Sequence, residues 1–147
     1  MLTASGPSAP ELASRLRLAI TRTARRLRQE SDSALSPTQA AVLATIERTG
    51  PLTPSELARI ERVQRPTISR VTARLGQAGL LERLPDELDG RGARLRLTPE
   101  GRRTLRGLRG RKTAYLTDGL GRLDPEERAV LAQASELLER LLEDGGE

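Results

Sequence analysis

The chain has no cysteine, no histidine, no phenylalanine and no tryptophan, and its one aromatic side chain is Tyr115. Without cysteine there is no disulfide, no thiol redox sensor, no thiolate zinc site and no cysteine nucleophile. Without histidine, triads that need an imidazole base and imidazole metal sites are excluded as well. The core has to be aliphatic. Hydrophobic residues make up 36% of 147, enough for one domain, or one domain with helical arms, and no more. No apolar run approaches the roughly 18 residues a membrane span needs. The opening MLTASGPSAP has neither the basic nor the apolar region of a signal peptide. A soluble cytoplasmic protein with no membrane partner is the expectation.

Lysine is almost missing too. Lys112 stands alone beside 24 arginines, and the net charge is +5. Arginine presents a planar fork that suits phosphate, although a G+C-rich genome would also enrich it. The distribution separates the two accounts. Residues 1–52 carry a net +3, residues 53–112 a net +8 and residues 113–147 a net −6. Uniform codon bias would not reverse sign along the chain. A central nucleic-acid-binding unit with flanking helices in another role would.

Helix punctuation is frequent. Ser8-x-x-Glu11, Ser36-x-x-Gln39, Thr53-x-x-Glu56 and Asp124-x-x-Glu127 have capping-box spacing, all four with proline at or near the first helical position. The apolar stripe Leu12, Leu16, Ala19, Ile20, Thr23 and Leu27 predicts a first helix. Ala41, Val42, Leu43 and Ile46 carry a second, which Gly50-Pro51 ends. Leu57, Ala58 and Ile60 form the apolar side of a third. Pro66 opens a fourth, with Ile68, Val71, Leu75 and Ala78 inward, and Gly79 stops it. Residues 81–84 and 93–97 partly alternate, and the eight residues between them are dense in turn formers, which predicts a hairpin. Thr98-Pro99 starts a long basic fifth helix that Gly107 and Gly110 weaken. The sixth carries Val130, Leu131, Ala134, Leu137, Leu138, Leu141 and Leu142.

A helix–turn–helix followed by a hairpin is a winged helix: the second helix of the pair fits the major groove, and an Arg-tipped hairpin reaches an adjacent groove. The predicted class is mainly α, a winged helix–turn–helix with N- and C-terminal dimerisation helices. Its parts are a flexible start at 1–8, an N-terminal dimerisation helix at 9–35, the DNA-binding domain at 36–98, C-terminal helices at 99–143 and a flexible tail at 144–147.

Glu56-Leu57-Ala58, then Arg65-Pro66-Thr67-Ile68-Ser69-Arg70-Val71, then Gly79-Leu80-Leu81-Glu82-Arg83, follow one another in a familiar order. Asp89-Gly90-Arg91-Gly92-Ala93-Arg94 has the spacing D-x-R-x-x-R, and Leu97-Thr98-Pro99-Glu100-Gly101 follows it. In these stretches the chain resembles the MarR family of winged-helix transcription regulators over about residues 12–143. One departure stands out. Where that family commonly has Leu-Gly-Val in its turn, this chain has Glu61-Arg62-Val63, and Arg62 lacks glycine's freedom at positive φ.

The candidate DNA-binding residues are Thr53, Ser55, Gln64, Arg65, Thr67, Ser69, Arg70, Arg91 and Arg94, with Asp89 orienting the wing arginines. Arg65 and Arg70 flank Thr67 and Ser69 on the face of the recognition helix expected to be exposed. Arg91, between two glycines, suits a thin tip that approaches a minor groove closely. Thr53 and Ser55 start a helix, which is either a phosphate site or only a cap. The resemblance implies a homodimer on double-stranded DNA, a pseudo-palindromic operator and a repressor's role. It also implies a small aromatic or anionic effector held by the first, second and fifth helices, for which Arg22, Arg25, Arg26 and Tyr115 are the polar candidates. Solvated or salt-bridged arginines are the ordinary alternative there. No cofactor, metal or catalytic residue is expected. The competing function is a non-specific DNA- or RNA-binding architectural protein, with a steep salt dependence as its mark.

Overall fold

Each expected cap site opens a helix. The computed structural model describes residues 6–31, 33–85 and 93–145. In chain order the elements are α1 (Ala9–Ser31), α2 (Pro37–Thr49), α3 (Pro54–Glu61), α4 (Arg65–Gln77), β1 (Leu81–Pro85), β2 (Ala93–Leu97), α5 (Pro99–Leu120) and α6 (Pro125–Asp144). Ser36 and Thr53 make complete capping boxes with Gln39 and Glu56. At α1 only half of the box forms. Glu11 accepts from the Ser8 backbone N–H at 2.9 Å and also from the Ser8 hydroxyl at 2.8 Å. Those two bonds, the hydroxyl first, hold the Glu11 carboxyl below its ordinary value.

Residues 1–112 and 113–147 form two compact units. In the first, the core is wholly aliphatic: Val42, Leu43 and Ile46 from α2, Leu57 from α3, Ile68 and Leu75 from α4, and Leu52, Leu80, Leu81, Leu95, Leu97 and Leu105 around them. Each such side chain contributes roughly 1.5–3 kcal/mol when fully buried. Two expected inward residues are not inward. Ile60 is 41% exposed, and Ala78 sits in the exposed C-cap of α4. In a helix of only eight residues, Leu57 and Ala58 already fill the angular width that faces the core.

The hairpin is antiparallel, with Leu81 opposite Leu97 and Arg83 opposite Leu95. Leu52, just ahead of α3, joins as a third rung. Its N–H donates to the Leu95 carbonyl at 3.1 Å, and the Leu95 N–H returns the bond at 2.7 Å. The root of the hairpin is thereby fixed to the start of α3.

Two turns set the geometry. Thr98 caps α5, its hydroxyl accepting from the Gly101 N–H at 3.0 Å and donating to the Gly79 carbonyl at 2.5 Å. Gly101 lies so close to the α4–β1 turn that a Cβ there would meet the Leu80 carbonyl group, its carbon at 3.1 Å and its oxygen nearer still. Between α3 and α4, Arg62 adopts φ 53° and ψ 45°. A left-handed conformation costs a side-chain-bearing residue roughly 1–2 kcal/mol. A cation beside a helix C-terminus returns only about 0.3–1 kcal/mol of that.

In the second unit, Asp124 caps α6 by accepting from the Glu127 N–H at 2.8 Å, and that bond lowers its carboxyl pKa. Arg128 donates to the Leu123 carbonyl at 2.9 Å. No described residue of α6 is buried. Val130 is 63% exposed and Leu142 78%. On α1, Leu12, Leu18 and Ile20 are likewise exposed.

Candidate nucleic-acid interface

The candidate residues that lie within the described structure gather around the first turns of α3 and α4 and the root of β2. Pro54 and Pro66 suit first-turn positions, where the missing N–H has no intrahelical partner to lose. Thr53 is committed to its cap: its hydroxyl accepts from the Glu56 N–H at 3.2 Å, and its own N–H donates to the Glu56 carboxylate at 3.0 Å. Ser55, one residue into α3, is exposed and accepts a hydrogen bond from the Arg65 guanidinium. That bond ties the start of α4 to the start of α3.

On α4, Arg65, Ser69 and Arg70 are exposed and Thr67 is half-buried, while Ile68 and Leu75 anchor the opposite side in the core. Arg70 reaches the Thr67 hydroxyl at 3.5 Å, a weak contact. Gln64 is the N-cap residue, but its side chain makes no cap hydrogen bond. This agrees with the low standing of glutamine as a cap and keeps its amide out of the helix start.

Arg94 reaches the Pro51 carbonyl at 3.4 Å and the Glu56 carboxylate at 3.5 Å. Glu56 therefore does two jobs: it closes the α3 cap and holds the wing root. Sequence spacing reveals the cap, but not the partner 38 residues further on. A second link that spacing does not reveal is the hydrogen bond from the Thr45 hydroxyl on α2 to Glu61 at the end of α3. Asp89 and Arg91 lie outside the described residues.

A groove of about 370 Å³ opens between α1, α2 and α5, the three helices expected to wall an effector site. Its cationic residues differ from the expected ones. Arg28, Arg109 and Lys112 line it, whereas Arg22, Arg25 and Arg26 do not, and Tyr115 belongs to the second unit. Arg26 instead pairs along its own helix with Glu30 at 2.9 Å. The closely spaced arginines of α1 do not indicate which turn faces α5; the break after Ser31 does. There Arg111 donates to the Ser31 carbonyl, and Arg109 pairs with Glu47. Among the described residues no cluster of acidic side chains suits a metal ion, and no helix is long and apolar enough to cross a membrane.

The order of elements agrees with comparisons to known proteins. The model of the MarR family matches residues 35–92. An HTH-type transcriptional regulator of Mycobacterium tuberculosis is 34% identical over 134 residues, which is 90% of this chain and 94% of that protein. The chain belongs to the MarR family. A Pseudomonas aeruginosa protein described as a transcriptional regulator has a similar structure, with a TM-score of 0.80 and 38% identity over 90% of this chain and 94% of its own. Apo MarR of E. coli superposes with a TM-score of 0.73 at 26% identity, covering 89% and 96%. MarR-family members are non-enzymatic, DNA-binding transcription regulators, and this chain is one of them. α3 and α4 are the helix–turn–helix pair of its winged helix, and the β1–β2 hairpin is its wing.

Proposed function

We propose that this MarR-family regulator is a homodimeric repressor that reads a pseudo-palindromic operator and is released from it by a small anionic effector. The observation that carries the reading is the exposed row Arg65, Ser69 and Arg70 on α4, backed by a buried aliphatic core. In a major groove, arginine suits guanine edges or phosphates, and the hydroxyls of Thr67 and Ser69 and the amide of Gln64 suit further base edges. Ser55 and Thr53 approach the backbone at the start of α3. Arg91 enters a minor groove at the wing tip, with Asp89 orienting it, and Arg94 holds the wing root.

Dimerisation accounts for the open faces of α1 and α6. A helix with nine apolar residues and none buried needs a partner surface, and a second copy offers the same stripe across a two-fold axis. Residues 36–98 form the DNA-binding part, and residues 9–35 and 99–143 the dimerisation part. An aromatic or other anionic molecule in the α1–α2–α5 groove, facing Arg28 and Lys112, acts by favouring one spacing of the two recognition helices over another. The cytoplasm is where such a protein meets DNA.

Selection of bound duplexes from a random DNA pool tests the reading. Enrichment of an inverted repeat, its half-sites about one helical turn or roughly 34–36 Å apart, is expected. Steeply salt-dependent binding with no enriched sequence would replace it with an architectural role.

A further inference from the structure

Among the described residues, Arg62 is the one non-glycine residue with a positive φ. It stands between the end of α3 and the Gln64 cap of α4, and it is exposed. Its backbone N–H bonds back to the Ala58 and Arg59 carbonyls at the end of α3. Its side chain has no ion pair or hydrogen bond among the described residues. The adjacent carboxylate, Glu61, is taken by the Thr45 hydroxyl. Glycine would adopt this turn without strain, and the favourable charge at the α3 C-terminus is smaller than the strain. Folding alone therefore gives no reason for arginine here. Strained residues of this kind gather where the side chain has a use.

We propose that Arg62 is a DNA-backbone contact, its guanidinium meeting a phosphate beside the groove that α4 enters. The proposal rests on the reading of α4 as the groove-entering helix. A recognition helix enters with its N-terminal residues at the base edges. Residues just ahead of its cap then lie toward the strand that borders the groove. Arg62 precedes the cap by two residues, so a phosphate is within its province and a base edge is not. Such a contact adds affinity without sequence preference and adds to the salt dependence.

The test compares the parent with Arg62→Gly, Arg62→Asn and Arg62→Lys on two probes: the duplex enriched by selection and a duplex of unrelated sequence. Titrations run over a series of salt concentrations, with thermal melts of each protein alongside. Arg62→Gly is expected to melt above the parent yet bind both duplexes about three- to tenfold more weakly per subunit. Its plot of log affinity against log salt should be shallower by about one per subunit. Arg62→Asn, which tolerates the left-handed turn, should show the same loss. Arg62→Lys should restore the slope while keeping the parent's melting temperature. Unchanged affinity and slope in a more stable Arg62→Gly protein would overturn the proposal and leave the DNA-binding reading intact. So would a loss confined to the selected duplex, or one that lysine fails to rescue. A parent that binds neither duplex would overturn both.

Discussion

Alanine at two positions of α5 should have opposite effects on stability. At Gly101 a Cβ meets the Leu80 carbonyl, with the carbon at 3.1 Å and Leu80 Cα at 3.4 Å. These are backbone atoms, and no rotamer change relieves the contact. Leu80 cannot retreat, because its side chain is buried in the core. The first turn of α5 has to move instead. That movement stretches the Thr98 N–H bond to the Leu80 carbonyl, now 3.1 Å, and the Thr98 hydroxyl bond to Gly79. Two weakened hydrogen bonds cost about 1 kcal/mol each. Overpacking adds roughly 1–3 kcal/mol, and alanine's better helix propensity returns about 1. Gly101→Ala should therefore destabilise by roughly 2–4 kcal/mol, a large share of the roughly 5–15 typical of a folded protein. At Gly110 a Cβ meets nothing within 4 Å. Gly110→Ala should stabilise by about 1 kcal/mol from helix propensity alone.

Urea denaturation followed by far-ultraviolet circular dichroism measures both, at one fixed protein concentration because assembly would shift the midpoint. Tryptophan fluorescence has no reporter in this chain. A Gly101→Ala protein as stable as the parent would refute the reasoning, since it would mean that the α5 start has room to spare. Equal effects at both positions would refute it as well, because helix propensity would then account for everything.

Glu56→Gln keeps an acceptor for the Thr53 cap but removes the charge facing Arg94. It should cost under about 1 kcal/mol, as the pair is partly exposed, and should speed hydrogen exchange in β1 and β2 more than in α2. Leu137→Glu together with Leu141→Glu should convert a dimer to a monomer in light scattering while the circular dichroism of the α2–α4 core persists; a dimer that survives would remove α6 from the interface. Asp124 has a lowered carboxyl pKa, so its contribution to α6 is complete above the ordinary value of 3.8 and is lost as pH falls through the lower folded value; Asp124→Asn should abolish that acid-side loss in a pH series of melts.

Local chemistry was legible in the sequence because it acts over three or four residues. Cap, proline and glycine positions mark all six described helices, and Ser36-x-x-Gln39 and Thr53-x-x-Glu56 close as their spacing implies. Period alone was less informative. Ile60 and Ala78 satisfy a 3.6-residue stripe, yet α3 is too short and α4 ends too early for them to reach the core. The arginines were the hardest to assign. Arg22, Arg25 and Arg26 differ from Arg28 only in their position along and around α1, and the lining of the groove depends on where α5 crosses, a long-range fact. Arg94 is a further case, because spacing places it on the wing without showing what it meets at the wing root. Its described contacts, with Pro51 and Glu56, depend on the Leu52–Leu95 rung, which brings the wing root against the start of α3.

That rung makes α3 more than the first half of a helix pair. Its N-terminal turn holds α4 through Ser55 and Arg65, and holds β2 through Glu56 and Arg94. Its C-terminal turn is held to α2 through Glu61 and Thr45. The recognition helix and the wing are therefore both tied to one short element, in addition to the direct packing of α4 against β1. A rigid shift of α3 carries both together, which preserves their mutual spacing on DNA. A change in α2, the wall that α3 shares with the α1–α5 groove, reaches both through the same eight residues. The individual links are weak: the Arg94–Glu56 pair is partly exposed, and the Arg65–Ser55 hydrogen bond lies at the surface. Their effect on position exceeds their effect on stability, since two contacts at one helix start fix an orientation that a buried leucine, free of direction, cannot. Loss of either contact should thus appear first as weaker, less selective DNA binding, and only slightly in the melting curve.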